Sequence, residues 1–255
     1  MKKENKEFFD YTKSLPFIDI THFWDIPYKQ ILEEVKQVDE KYWSRPFNVD
    51  NNKVKELGLD DKSSLNYYPG SDGKLIEAHG WKTLCMLNET GESSDQIYNF
   101  PPVFNTANDY KRGLKDFKVE RYWTNAAVFC PTLVNFFKEH ISKYMQFIQI
   151  SVTRLNGGGV ITEHNDIPKD SRSLLDTEQT HMYNMLNTFN LCLNHVEGCY
   201  GVFDNKVIPA YEGCLRWTNI GKQHWVLNMN RQPQYQIIWN GIYKKSFRKL
   251  AMKNK

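Results

Sequence analysis

From Met145 onward the sequence changes rhythm. "MQFIQISVTRLN" alternates apolar and polar residues, and further short runs follow: "TFNLCLN", "CYGVF", "KVIPAY", "CLRWTN", "HWVLNMN" and "YQIIWNGIY". Turn signals such as "HVEG", "FDNK", "YEG" and "NIGK" separate them. A period of two sends alternate side chains to opposite faces of an extended chain, so each run reads as a strand. Short strands spaced roughly 8–12 residues apart and closed by turns predict a sandwich or jelly roll. The fold class expected is mainly β with flanking helices around a double-stranded β-helix (jelly roll, cupin-like) core.

The residues before Met145 are less regular. "PYKQILEEVKQVDEKYW" sets Ile31, Val35 and Val38 at helical spacing between charges, which predicts a surface helix. Residues 49–74, punctuated by Asn, Asp and Gly, read as loop. "LIEAHGWKTLCML", from Leu75 to Leu87, is the first strand-like run. Residues 91–113 return to irregular chain, with Pro101 and Pro102 opposing strand pairing. "CPTLVNFFKEHISKY" is the clearest helix: Pro131 suits a first turn, and Leu133, Val134, Phe137, Ile141 and Tyr144 make one apolar stripe. The chain thus divides into a mixed α/β extension over residues 1–110, a jelly-roll core with its leading helix over 111–242, and a basic tail over 243–255.

Composition narrows the functional classes. With 255 residues, 40% of them hydrophobic, the chain can bury a full core, and 14 Tyr, 15 Phe and 7 Trp suit a strand-rich interior. No run approaches the roughly 18 apolar residues of a membrane span, and "MKKENKEFFDYTKSLPF" lacks the apolar stretch of a secretory signal. Five scattered cysteines (Cys85, Cys130, Cys192, Cys199, Cys214) without a C-x-x-C argue for reduced thiols in a cytoplasm. The net charge is +3, but "YKKSFRKLAMKNK" carries six basic residues and no acidic one, which leaves the other 242 residues at −3. A body of that sign is a poor nucleic-acid surface, and the tail reads as a solvated end.

Chemistry enters with "GGGVITEHNDIP". His164 and Asp166 follow a strand and a glycine turn, and residues i and i+2 of an extended segment point the same way. An H-x-D among seven histidines is a weak signal alone; His79 and His140 read as packing or surface residues. A third ligand should come from a later strand, and "GKQHWVLNMN" offers His224 just after the turn at Gly221. Two imidazoles and one carboxylate suit one face of an octahedral Fe(II), with open positions for substrates. Zinc would favour a closed four-coordinate site or a nearby general base. The competing reading makes His164 and Asp166 a polar turn and His224 a packed barrel residue.

The stretch from Arg121 to Gly241 resembles the aspartyl/asparaginyl β-hydroxylase-like branch of the Fe(II)/2-oxoglutarate dioxygenases. The resemblance rests on "TRLNGGGVITEHND", on Glu197-Gly198-Cys199, on Gly213 eleven residues before His224, and on Asn228 four residues after it. It implies His164, Asp166 and His224 as iron ligands and catalytic centre, 2-oxoglutarate as co-substrate, dioxygen as oxidant, and hydroxylation of an unactivated C–H bond as the reaction. One departure stands out. Where the family has an Arg gripping the far carboxylate of 2-oxoglutarate, this chain has Gln234, and the family's basic position on the strand after H-x-D is Asn190. A neutral amide cannot make that charge-assisted bidentate contact.

Three arginines are candidate replacements: Arg216 in "CLRWTN", Arg231 just before the last strand, and Arg154 on the strand before the glycines. Asn190, Asn194, Gln234 and Gln236 give the middle strands a polar, uncharged lining that suits a small polar molecule or an amino-acid side chain. Trp225, with Trp217 and Trp239, is a candidate pocket wall, although tryptophan in a strand is more often core. Two rival readings remain open: a non-catalytic jelly-roll binding protein with a relic metal site, supported by Gln234, and a nucleic-acid oxidative demethylase using the basic tail. A zinc hydrolase would need Glu163 as its base, and that residue alternates away from His164. No membrane partner is expected, and the sequence leaves the oligomeric state open.

Overall fold

A single strand of 20 residues, β5 (Met145–His164), runs through the centre of the molecule. The structure, a computed structural model, describes residues 15–44, 56, 65–69, 75–94, 120–164, 187–219, 221–244, 246–247 and 249–250; the side chains of residues 65–69, 75–76, 147–148, 187 and 242–243 are not part of that description. In chain order the other elements are β1 (Phe17–Asp19), α1 (Tyr28–Lys36), β2 (Leu65–Pro69), β3 (Leu75–Asn88), β4 (Tyr122–Trp123), α2 (Pro131–Phe136), β6 (Asn187–Cys192), β7 (Cys199–Phe203), β8 (Lys206–Val207), β9 (Leu215–Asn219), β10 (His224–Asn228) and β11 (Gln234–Tyr243). The described strands form one curled antiparallel sheet in the order β1-β9-β6-β11-β5-β10-β7-β8, with β3 along the other edge of β5 and β2 and β4 on β3. This is a mainly β, jelly-roll architecture with few helices.

β5 serves both halves of the roll because it turns a corner. Up to Leu155 it pairs with β11, and from Val160 it pairs with β10. The bend falls on the glycines, for two separate reasons. Gly158 has φ +73°, a conformation costly for other residues. A Cβ on Gly157 would stand 2.6 Å from the backbone of Arg231 and Asn230, so only a glycine lets the β10–β11 turn dock there. Asn228 completes the joint. Its fully buried amide Nδ2 lies 3.0 Å from Leu155 O, 3.2 Å from Asn156 O and 2.9 Å from Gln232 O, while its Oδ1 accepts from Asn230 N at 3.0 Å.

Alternation then sorts the side chains of the larger half-sheet onto two faces. One face, with Ile150, Val152, Phe189, Leu191, Leu215, Trp217, Ile237 and Trp239, builds the main core. Ile31 and Val35 of α1 and Leu133 and Phe136 of α2 cover it. Trp239 is 1% exposed, stacked on Phe189 at 5.1 Å and edge-on to Phe137 at 5.0 Å. The opposite face turns inward and is polar; its residues belong to the site.

Some expectations are met and others are revised. All six runs read as strands after the glycines contain strands, and β3 spans the first predicted run. The surface helix is amphipathic, with Ile31 and Val35 at 0% exposure against the core, each burial contributing about 1.5–3 kcal/mol. The second helix begins at Pro131, but its α-helical part ends at Phe136 and a π-turn continues to Ile141. Within the predicted loop at 49–74, Leu65–Pro69 pairs with β3 as a strand; most of that loop and of the 91–113 segment lies outside the described residues. β1 pairs with β9 and β3 with β5, so strands from the first 110 residues belong to the same sheet. The tail begins as packed chain: Phe247 is 2% exposed in the main core, 5.6 Å from the Phe189 ring.

At the sheet edge, Asp19 accepts from the Thr21 amide (2.9 Å), the Thr21 hydroxyl (2.7 Å) and the Tyr211 hydroxyl (2.7 Å). Burial alone would push its carboxyl up, but these hydrogen bonds outweigh it and hold it below the ordinary 3.8. A carboxyl with a lowered folded value contributes stability that is complete above the ordinary value and is lost as pH falls through the folded one. Asp19→Asn is therefore expected to be less stable than wild type at pH 7, with the two acid-unfolding curves converging at the lowest pH. Trp239→Ala is expected to cost about 3–5 kcal/mol in denaturant unfolding.

Candidate metal centre

His164 ends β5 and His224 begins β10, and the ladder pairs them directly, His224 opposite His164. Their rings lie 4.1 Å apart between centroids, tilted by 53°. His164 Nδ1 is 2.7 Å from Thr162 O, and His224 Nδ1 is 2.9 Å from Lys222 O. A carbonyl oxygen can only accept, so each Nδ1 is the donor, and in the neutral ring the basic lone pair then falls on Nε2. That tautomer, pinned by a backbone carbonyl, is the one used by metal-ligating imidazoles. Phe203 lies flat on His224, 4.6 Å away and 6° from parallel, and fixes its plane. His224 is only 6% exposed, whereas Glu163 next to His164 is exposed.

Among the described residues no third His, Cys, Asp or Glu side chain completes a metal-binding group with this pair. Asp166, the expected carboxylate ligand, lies outside the described residues. The donors present fit a divalent transition metal: two imidazoles from adjacent strands, both turned by backbone acceptors, with Asp166 two residues further along the sequence from His164.

The inward face of the larger half-sheet carries Gln149, Ser151 and Thr153 of β5, Asn190 of β6, Arg216 and Thr218 of β9, and Gln234, Gln236 and Asn240 of β11. Arg216 is the decisive member. It is 1% exposed, its Nη1 donates to Pro209 O at 2.7 Å, and its Nη2 lies 3.4 Å from Gln236 Oε1. Its Nε is buried with no hydrogen-bond partner, as are Gln149 Oε1, Ser151 Oγ and Gln234 Oε1 on the same face. The thiols near it stay neutral. Burial pushes Cys192 up to about 11 against the pull of the Arg216 guanidinium, and Cys199 up to about 12.

The other sequence candidates are placed differently. Arg154 is not brought to the interior: it lies over the Trp43 ring at 4.6 Å and makes a two-point contact with Glu40 at 3.0 and 2.8 Å. Arg231 is exposed in the β10–β11 turn. Asn194 closes the start of β11, donating to Pro233 O (3.0 Å) and accepting from Tyr235 N (2.7 Å). Asn190 donates to Thr218 Oγ1 at 2.7 Å. Trp225 alternates with His224 and sits half-buried on the other face of β10, and Trp217 and Trp239 are core. The backbone carbonyls behind the histidines, the Phe203 stack and the Asn228 joint were not found from sequence. A carbonyl leaves no mark on the residue type, and Phe203 pairs with His224 only through the β7–β10 register.

No protein-family model matches the sequence, and no curated protein matches it. Several solved structures resemble it. A Trichoplax adhaerens prolyl hydroxylase, in complex with a hypoxia inducible factor oxygen degradation domain peptide fragment, is 13% identical over 98% of this chain and 94% of that one, with a TM-score of 0.44. A Pseudomonas putida prolyl-4-hydroxylase is 11% identical over 93% and 98%, with a TM-score of 0.41. A Burkholderia pseudomallei oxidoreductase of the 2OG-Fe(II) oxygenase family is 12% identical over 86% and 96%, with a TM-score of 0.36. By name these are two prolyl hydroxylases and one oxidoreductase of the 2OG-Fe(II) oxygenase family, and none of the three is named an aspartyl/asparaginyl β-hydroxylase. Among the described residues no helix is long and apolar enough to cross a membrane.

If the paired imidazoles are metal ligands, His164→Ala and His224→Ala should each weaken Co(II) binding by more than about 100-fold, since loss of mere supporting residues already costs 10–100-fold. Isothermal titration of Co(II) into wild type and the two variants measures this.

Proposed function

We propose that the protein is an Fe(II)- and 2-oxoglutarate-dependent dioxygenase that hydroxylates an unactivated C–H bond of a small polar substrate or an amino-acid side chain. The observation that carries the reading is the His164–His224 pair, with rings 4.1 Å apart and both Nδ1 atoms committed to backbone carbonyls. His164, His224 and Asp166 would hold the iron. When bound, it supplies the oxidation of the C–H bond by dioxygen, coupled to conversion of 2-oxoglutarate to succinate and carbon dioxide. The aspartyl/asparaginyl β-hydroxylase-like branch and a cytoplasmic setting are the finer parts of the proposal. All five cysteines being buried, unbridged thiols agrees with the second.

The protein's own contribution is positioning and exclusion of water. The Thr162 and Lys222 carbonyls keep both imidazoles in the tautomer that offers Nε2. Arg216 grips the far carboxylate of 2-oxoglutarate in place of the missing arginine at Gln234. It is the candidate that is both buried and without an acidic partner among the described residues, whereas Arg154 answers Glu40 and Arg231 faces solvent. The barrel interior supplies neutral donors and acceptors, of which Gln149, Ser151 and Gln234 hold unpartnered oxygens ready for ligand groups. Apart from Arg216, the side chains named for this face are uncharged, which favours a polar uncharged substrate surface.

Anaerobic addition of 2-oxoglutarate to the Fe(II)-loaded protein should give a visible charge-transfer band. Arg216→Gln should weaken the co-substrate by about 10- to 100-fold, the value of a charge-assisted contact. The paired change Arg216→Gln with Gln234→Arg should recover much of the loss. Absence of any 2-oxoglutarate binding to the wild type would support the non-catalytic jelly-roll reading, for which Gln234 is the motive. Asp166→Ala is expected to abolish succinate formation.

A further inference from the structure

A buried cation without a counter-charge is unfavourable unless something compensates it. Arg216 is such a cation among the described residues. Asp19 lies opposite it in the β1–β9 register, but that carboxylate accepts from Thr21 and Tyr211 instead. Among the described residues no carboxylate forms an ion pair with Arg216. What it does have is two neutral oxygen acceptors: Pro209 O at 2.7 Å and Gln236 Oε1 at 3.4 Å. Gln236 sits on the inward face of β11, two residues from Gln234, whose own Oε1 is unpartnered and whose Nε2 is 3.8 Å from Cys192 Sγ.

The chemistry of that pair of acceptors is specific. They hold two of the guanidinium's three nitrogens, which fixes its plane, and they carry no net charge to neutralise it. The third nitrogen, Nε, keeps an unused N–H inside the barrel. A glutamate at position 236 would instead close the guanidinium with an ion pair, and an incoming carboxylate would have to displace it. An apolar residue there would leave the guanidinium's position set by one carbonyl alone.

We infer that Gln236 is the positioning residue of the anion anchor: its neutral amide orients Arg216 without neutralising it, and so keeps a buried site for a ligand carboxylate. The ligand class is a short dicarboxylate presenting its far carboxylate to Arg216. This rests on the proposed co-substrate, and it moves Gln236 from the substrate-lining role expected from sequence to the co-substrate side.

Gln236→Glu and Gln236→Leu separate the possibilities, with glutarate as probe on the metal-free protein. Glutarate carries the far carboxylate but lacks the keto group, so its binding reads the anchor apart from iron. Glutarate is expected to raise the melting temperature of the wild type. Gln236→Glu is expected to melt higher than wild type without ligand, because the buried cation gains its counter-charge, and to lose the glutarate response and about 100-fold or more in 2-oxoglutarate affinity. Gln236→Leu should raise the KM for 2-oxoglutarate about 10-fold while kcat at saturation stays within about twofold. A Gln236→Glu variant that binds glutarate as the wild type does would overturn the positioning role, as would a Gln236→Leu variant with an unchanged KM. If the glutarate pattern holds but Fe(II)-loaded wild type binds no 2-oxoglutarate, the proposed reaction falls and the anion anchor stands.

Discussion

The joint made by Asn228 governs the geometry on which everything else rests. β5 has to leave one half of the roll and enter the other within a few residues, and its glycines make that bend possible without defining its angle. The definition comes from a buried amide that holds the carbonyls of Leu155 and Asn156 against the turn ending β10. Because the same side chain ends the strand that begins with His224, the bend of β5 and the placement of β10 are set together. His164 therefore meets His224 across the ladder set by backbone hydrogen bonds. A site preorganised in this way loses little entropy when an ion binds.

The second constraint is the division of labour between the faces of the larger half-sheet. Tryptophans, phenylalanines and leucines take the outer face and pack on two short helices, and this core carries the stability. The inner face can then hold groups that weaken a fold: amides with unpartnered oxygens and an arginine with no counter-ion among the described residues. Each such atom costs about 1–3 kcal/mol in isolation. Four of them, Gln149 Oε1, Ser151 Oγ, Arg216 Nε and Gln234 Oε1, share one face, while Trp239 Nε1 lies in the core; such a cluster marks a surface shaped for a ligand.

Much of this was legible in the chain itself. Period-two alternation located strands such as β5, β6, β9 and β11 because each has one face in the core and a more polar opposite face, which is the condition under which alternation is visible. The meeting of His164 and His224 was legible in the sequence too, since both sit at strand ends. Charge on a strand pointed to both Arg216 and Arg154. Arg154 shares its strand face with Ile150 and Val152 while Arg216 alternates with Leu215 and Trp217, and the fold pairs Glu40 with Arg154 whereas no described carboxylate pairs with Arg216. The strand Leu65–Pro69 escaped because a polar edge segment gains its structure from its partner β3 rather than from its own pattern. The π-turn after Phe136 escaped because its residues keep the helical apolar stripe.

The most direct measurement on the central claim is pulsed electron paramagnetic resonance of the Cu(II)-substituted protein, which counts coordinated imidazoles from their remote-nitrogen couplings. Two imidazoles on one ion, reduced to one in either His164→Ala or His224→Ala, is the result this geometry requires. A spectrum with a single imidazole, or one unchanged by removing either histidine, would mean that the pair is a packing contact between two strand ends and that no metal centre is built there.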